Sequence, residues 1–334
     1  MAIRKIQRSG NSSFVVSLPI EWVKSNGLKK NDAIDVQINQ DGSITISPII
    51  AKKPIDDLGI FYIDEKDSFS SSLRLLLGFY IAGYNQIKIK ARNRFPVFVR
   101  HLIESFLHKT VGLEVVSETN DEFLIQYILD DSSMPMEKTF NRMCVIASKM
   151  FSDSLSALES RNIELDRYIE KMDDDVDRLN ILLLRKYKNI LRNPIALKAE
   201  GISLERAHQF VLASRLVERI ADHSVRISKL EPSFLLQSND KELIKSLSSV
   251  GENIYSLFLQ CIMAFSSNDK SKSNTLISDI TEYHVFYDKL IDRDSKHRGK
   301  VSVPIAYVIE SLRRISDYSV GICELVLDSR HQEH

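Results

Sequence analysis

The chain is short of turn formers and cysteines, has no net charge and lacks any long apolar run. Eleven Gly and eight Pro in 334 residues argue against a turn-rich all-β protein and for long helices. Cys144, Cys261 and Cys323 are scattered, odd in number and form no CxxC pair. That argues against a disulfide framework or a thiolate zinc site and points to a reducing compartment. A formal net charge of zero gives no whole-chain sign of a polyanionic partner, although local charge still can. No run approaches the roughly 20 apolar residues that span a bilayer. The start, MAIRKIQRSGNSS, contains no apolar signal core. These absences lead us to expect a soluble, cytoplasmic protein without membrane insertion. The length allows two or three domains.

What is present is a repeat. LVERIADHSVRISKL at 216–230 returns 95 positions later as SLRRISDYSVGICEL at 311–325. Arg219, Ile220, Asp222, Ser224, Val225, Ile227 and Leu230 recur as Arg314, Ile315, Asp317, Ser319, Val320, Ile322 and Leu325. Self-similarity at fixed spacing marks a duplicated unit. Glu218 and Asp222, four apart, share one helical face. Such a face suits a hard cation held by oxygen ligands, and equally an acidic edge on a solvated helix.

Residues 1–50 read as a compact β-rich unit. Phe14–Leu18 is a strand-like run ended by Pro19, Ile20–Asn26 a short helix stopped at Gly27, and Ala33–Ile38 with Ser43–Ser47 a hairpin around Asp41-Gly42. Fifty residues bury only a small core, so such a unit needs a partner. Its first thirty residues hold Arg4, Lys5, Arg8, Lys24, Lys29 and Lys30 against Glu21 alone, a charge of plus five. Cations concentrated on a first strand and loop can lie along phosphates, and an ordinary mixed surface has the same composition. Arg4-Lys5-Ile6, Ser9-Gly10-Asn11-Ser12, Val15-Val16-Ser17-Leu18-Pro19, Gly27-Leu28 and Asn31-Asp32 together resemble the AbrB/MazE-type (SpoVT-AbrB) swapped-hairpin domain. The resemblance implies an intertwined homodimer in which two chains build one small barrel. It also implies DNA as a partner, bound through Arg4, Lys5, Arg8 and Asn11. Two departures stand out: Asn31-Asp32 replaces the usual Gly-Asp, and Ser13-Phe14 brings no arginine into the loop.

Residues 51–68, opened by Lys52-Lys53-Pro54 and rich in Asp and Glu, read as a linker. Residues 69–132 read as a small α/β module, with helices at Leu73–Ala82 and Pro96–His108, a strand at Asn85–Ala91, and a strand pair at 113–117 and 122–129. From 135 onward the pattern is helical: Thr139–Glu159, Leu165–Leu191, Leu204–Lys229, Lys241–Ser266, Ser271–Asp292 and Pro304–Leu327. Leu165, Ile169, Met172, Val176, Leu179 and Leu183 alternate spacings of four and three, a bundle stripe. Asn193-Pro194 and Gly201 mark a loop. The expected architecture is mainly α with an α+β N-terminal part: an AbrB-like β-hairpin domain, a small α/β module and two tandem three-helix bundles at 135–232 and 237–330.

The second helix of the first bundle carries Asp173 and Asp177 at the same four-residue spacing as Glu218 and Asp222. Two neighbouring helices each offering such a pair can chelate a cation of the Mg, Ca, Mn or Fe type. Asp173–Leu179 (DDDVDRL) and Glu218–Val225 (ERIADHSV) resemble the paired E/DxxxD motifs of the PhoU family, over residues 135–330 including the repeat. That resemblance implies regulation of phosphate transport, two three-helix bundles and, in some members, multinuclear metal clusters. It makes a divalent or iron-type ion in bundle 1 the expected cofactor and a phosphate ABC transporter ATPase a candidate partner. PhoU bundles behind an AbrB-like domain resemble an archaeal arrangement of phosphate uptake regulators. The second copy departs: Arg313 replaces the Glu, and alignment on Asp288 puts His284 where Asp173 stands. A guanidinium cannot be a ligand. An ion pair of Arg313 with Asp317 is therefore expected there, with Asp288, Asp317 and His284 the weaker candidates.

The sequence thus points to a DNA-binding regulator of phosphate uptake whose bundles sense metal or bind a partner. The alternative is an adaptor that dimerises through residues 1–50, leaves DNA alone and controls a transporter ATPase by contact. Clustered carboxylates make a metal phosphohydrolase conceivable. No nucleophile–base pair or phosphate-cradling Gly-rich loop accompanies them, and the protein is expected not to be an enzyme.

Overall fold

A computed structural model describes residues 3–10, 13–38, 42–48, 58–160, 163–229, 241–283, 285–290, 292 and 303–329. The chain divides into two compact units, Met1–Asp57 and Leu58–His334.

The first unit holds two antiparallel hairpins, β1 (Gln7–Ser9) with β2 (Ser13–Val15) and β3 (Ile34–Ile38) with β4 (Ile44–Pro48), and one helix, α1 (Ile20–Ser25). Among the described residues the sheets are open two-stranded ribbons and form no barrel. Asn31 takes the left-handed conformation that glycine would otherwise supply, with φ 75°, and Asp32 Oδ2 accepts from Lys29 N–H at 2.6 Å to close the turn. No described side chain of this unit is buried.

The second unit opens with a strand inside the stretch expected to be a linker. β5 (Leu58–Ile63) alternates buried Phe61 and Ile63 with exposed Ile60 and Tyr62, a period-two pattern that the acidic residues around it disguise. Helix α2 (Phe69–Ile81), capped by Ser68, starts four residues before the expected Leu73 and carries the chain to β6 (Gln86–Ala91), parallel to β5. Helix α3 (Val99–His108) and the β7 (Leu113–Glu118) and β8 (Glu122–Tyr127) hairpin complete a sheet of order β5-β6-β8-β7. Phe61, Ile63, Ile87, Ile89, Phe123 and Ile125 share one core with Leu76, Tyr80, Leu102 and Phe106 from the helices.

The first bundle comprises α4 (Met136–Ser160), α5 (Ile163–Arg192) and α7 (Leu204–Ser228). The expected loop at 193–201 instead holds α6 (Pro194–Glu200). Asn193 accepts from Ile195 N–H, Pro194 is fixed in the first turn, and Gly201 ends the helix at φ 68°. The second bundle comprises α8 (Lys241–Ser267), α9 (Lys270–Glu282) continued by helical residues 285–290, and α10 (Val303–Leu327). The two bundles share one core: Phe140 of α4, Phe210 of α7 and Phe265 of α8 meet with ring centroids 5.1–5.8 Å apart. Gly251 lets α8 approach α4, because a Cβ there would sit 2.4 Å from Leu155. The repeated helices α7 and α10 face each other, and the equivalent residues His223 and Tyr318 lie ring to ring at 5.8 Å.

Candidate functional site

Helix α5 presents different residues on different faces, and its 3.6-residue period decides which. Ile169, Met172, Val176, Leu179 and Leu183 are buried in the bundle, as their spacing requires. Asp173 and Asp177 lie beside that stripe. On α7, Glu218 and Asp222 lie beside buried Val217 and Ala221.

Two cross-links fix how the helices run past each other. At one end Lys229 Nζ lies 2.7 Å from Glu170. At the other Ser214 Oγ donates to Asn180 Oδ1 at 2.9 Å. The helices are therefore antiparallel, and all four carboxylates fall between the two ties, on facing stretches of one groove. The structure thus brings Asp173, Asp177, Glu218 and Asp222 together. All four are half-buried.

The groove is electrostatically strained. Burial, reinforced by Asp177, Asp222, Asp174 and Glu218, pushes the Asp173 carboxyl up from 3.8 to about 7. Burial also raises Asp177, with Lys109 opposing and Asp222 adding to it. Glu218 is raised by burial and then by Asp222 and Asp177. Asp173 Oδ1 is buried without a hydrogen-bond partner. Half-buried carboxylates held close to one another are destabilised by desolvation and like charge, and a proton or a cation relieves both. The donor set is all oxygen, which fits a hard cation. As the side chains stand, no three His, Cys, Asp or Glu groups among the described residues converge closely enough to hold an ion.

The sign of the pH dependence follows from Asp173. Its native value of about 7 exceeds the ordinary 3.8, so the native state binds more protons between those values. Stability contributed by this group is present below about pH 4 and lost as pH rises through 7. In metal-free protein, Asp173→Asn is expected to raise the melting temperature by a few degrees at pH 7.5, corresponding to roughly 1 kcal/mol. The difference from wild type should vanish near pH 4. Calorimetry across pH checks this; an equal gain at both ends would show that charge is not the cause.

The second copy is built differently. Aligning Asp288 with Asp177 places Tyr287 where the first copy has Val176. Tyr287 is buried, its hydroxyl 2.6 Å from Ser316 Oγ and 3.3 Å from Leu312 O, which it donates to. Ser316 and Leu312 stand at the repeat positions of Ala221 and Val217. A phenol–serine hydrogen bond thus ties α10 to its neighbour at the level where the first copy sets carboxylates. Asp288 is exposed. The expected Arg313–Asp317 pair is corrected: the ion pair shown for Asp317 is with Arg314, at 3.9 Å, on the neighbouring helical position. Arg314 also donates to Glu310 at 2.8 Å. His284 lies outside the described residues.

Sequence reasoning missed the residues that dock the α/β module onto α5. Arg178, Arg185 and Arg192 recur every seven residues and therefore share a face. Arg178 donates to Thr110 O at 3.3 Å, and Arg192 to Ala82 O. Buried Arg185 donates to Tyr80 O, Tyr84 O and Asn85 Oδ1 at 2.7, 3.0 and 2.8 Å. Its guanidinium also covers the Tyr127 and Tyr80 rings at 4.0 and 4.9 Å. Below it, Lys186 is buried against Glu200 at 2.8 Å and Asp131 O at 3.0 Å, and Glu200 also accepts from Met136 N–H. The heptad of arginines was visible in the sequence; their targets were not.

Of the N-terminal candidates, Arg4, Lys5 and Arg8 are exposed, with Arg8 on β1 beside Phe14 of β2. Asn11 lies outside the described residues.

Comparison with known proteins matches residues 140–230 to the family described as "PhoU domain" and residues 7–54 to "Antidote-toxin recognition MazE, bacterial antitoxin". The chain thus carries a PhoU domain behind a MazE/AbrB-like domain. A curated relative is the "Phosphate-specific transport system accessory protein PhoU homolog" of Clostridium acetobutylicum. It is 22% identical over 191 residues, which cover 55% of this chain and 85% of the relative. Among solved structures, the crystal structure of PhoU from Pseudomonas aeruginosa aligns with a TM-score of 0.47 at 18% identity, covering 57% of this chain and 93% of that one. No described helix is long and apolar enough to cross a membrane.

Proposed function

We propose that this chain, joining a PhoU domain to a MazE/AbrB-like domain, is a homodimeric DNA-binding regulator of phosphate uptake. The observation that carries it is the presence of both domains in one polypeptide. The Clostridium relative is named an accessory protein of phosphate-specific transport, which supports a role in that system here. The N-terminal unit supplies exposed Arg4, Lys5 and Arg8 for phosphate oxygens. The helical unit supplies the carboxylate groove. A divalent or iron-type cation held by Asp173, Asp177, Glu218 and Asp222 would neutralise like charges that now oppose one another. Orphaned Asp173 Oδ1 and the all-oxygen donor set support that assignment.

DNA binding is tested by fluorescence anisotropy with promoter fragments upstream of phosphate-transport genes. Affinity is expected to fall linearly on a log–log plot with salt. Arg8→Ala should weaken binding several-fold on every sequence and reduce the slope by about two, as the loss of one phosphate contact from each protomer of the dimer does. An unchanged slope would remove Arg8 from the interface, and no binding at low salt would sink the reading as a whole.

The second reading, an adaptor that dimerises without touching DNA, is favoured by one feature: the loop before Phe14 brings no arginine. It predicts capture of a phosphate transporter ATPase by a chain that shows no salt-sensitive DNA binding.

A further inference from the structure

The sheet of the α/β module has two edges, and they are unlike. β7 carries Glu114 and Glu118, and its pairing with β8 is broken by a bulge between Val115 and Ser117. Charges and bulges are how edge strands avoid unwanted pairing. β5, the other edge, reads LGIFYI: six residues with no charge, no proline and an unbroken register against β6.

The direction of its backbone groups can be deduced. Arg92 N–H donates to Ile63 O at 3.0 Å, so Ile63 faces β6. Groups alternate along a strand, so Phe61 and Gly59 face β6 as well, and Leu58, Ile60 and Tyr62 present theirs to the outside. The side chains of Ile60 and Tyr62 are 42% and 50% exposed on the sheet face that α2 and α3 leave open.

We propose that β5 pairs antiparallel with β5 of a second copy of this chain, about a two-fold axis at Phe61. This register sets Ile60 opposite Tyr62 of the second copy and repeats that pair across the axis. Both residues present outward backbone groups, so the two pairs exchange four backbone hydrogen bonds. Each pair also places an aromatic against a β-branched side chain, a favourable cross-strand combination. Phe61 falls on the axis as a non-hydrogen-bonded pair, in agreement with its inward-facing backbone. No like charges oppose one another, because the strand has none. The same patch meets itself, so the contact closes as a dimer and does not propagate.

The second copy is the occupant because the N-terminal unit requires one. That part of the argument rests on the proposed dimer. β4 ends at Pro48 and β5 begins at Leu58, so residues 49–57 are all that separate them. Nine residues reach at most about 30 Å. A dimer held through residues 1–48 therefore keeps two β5 strands at high effective concentration, where a short edge contact suffices. The product is a continuous eight-stranded sheet, which links the two carboxylate-bearing units of the dimer.

The test uses the full chain with Ile60→Cys and Tyr62→Cys combined, and each alone, treated with a mild two-electron thiol oxidant such as diamide. The three native cysteines are buried. Hydrogen-bonded antiparallel partners stand about 5.5 Å apart at Cα, within disulfide range. The double variant is expected to give a covalent dimer on non-reducing gels, with little from either single variant. Crosslinking by Ile60→Cys alone to the same extent would overturn the register. A second arm, Ile60→Lys with Tyr62→Lys, should weaken dimerisation at least tenfold with an unchanged melting temperature, and an unchanged dissociation constant would overturn the contact. Sedimentation of the wild type separates the two ideas. A dimer without register-specific crosslinks rejects the strand pairing alone, and a monomer rejects it together with the N-terminal dimer.

Discussion

Replacing Phe14 and Val16 by Asp is expected to convert the proposed dimer to monomer at micromolar concentration and to remove the proposed DNA binding with it. The expectation rests on what the N-terminal unit leaves uncovered. Phe14 is 70% exposed, Ile38 77% and Ile44 61%, with Val15, Val16 and Val36 close to half. Isolated two-stranded hairpins are marginal in water, and the sheets of this unit are two of them, joined by the short α1. A unit whose described apolar residues alternate along strands and all stay accessible leaves an apolar face for a second copy to cover. Burying each such side chain contributes about 1.5 kcal/mol or more, and a symmetric interface counts every substitution twice. Two substitutions per chain therefore remove about 6 kcal/mol, roughly four decades in the dissociation constant. Sedimentation equilibrium reads the mass, and the melting transition of the second unit, residues 58–334, should stay in place. A dimer of undiminished affinity would show that residues 1–57 do not hold the copies together.

Arg185→Ala should cost about 3 kcal/mol and release the α/β module from α5. Arg185 makes three hydrogen bonds and lies over two tyrosine rings, in a buried setting. Each hydrogen bond to a charged donor contributes about 1.5 kcal/mol or more, and a desolvated cation–π contact about 1–2. Their sum exceeds the net loss, because water reaches part of the vacated space. Arg185→Lys should restore little, since an ammonium lacks the planar fork that reaches Tyr80 O, Tyr84 O and Asn85 at once. Arg192→Ala, on the exposed end of the same row, should cost below about 1 kcal/mol. Urea titration gives the stabilities, and hydrogen exchange in α2 and β6 reports release of the module. Fast exchange confined to α5 would instead mean that Arg185 holds only its own helix.

The positions of the four carboxylates on their helices were legible in the sequence. Asp173, Asp177, Glu218 and Asp222 were found by a spacing of four on two helices, and helical spacing is a local property. Their antiparallel alignment was not legible, because Lys229–Glu170 and Ser214–Asn180 set it across the groove. β5 was hidden in a stretch that looked like a linker, since six residues with period two are a weak signal between acidic neighbours. Helix α6 was hidden by Asn193-Pro194 and Gly201, residues that mark a turn as readily as they cap a short helix.

The sequence by itself determined the repeat, the long helices, the bundle stripe on α5, the lopsided charge of the first thirty residues and the carboxylates of the groove. Each depends on local composition or on periods of 3.6 or 95 residues that a chain carries without folding. Tertiary structure alone decided where Arg185 ends, on carbonyls 105 and 101 residues away. It decided that Tyr287 inserts its hydroxyl beside Ser316 where the first copy has Val176, and that Asp317 turns to Arg314. It also decided that β5 is an edge of the sheet, with no second strand partner among the described residues. Those outcomes depend on which faces meet, and the meeting of faces is settled by packing between segments far apart in the chain.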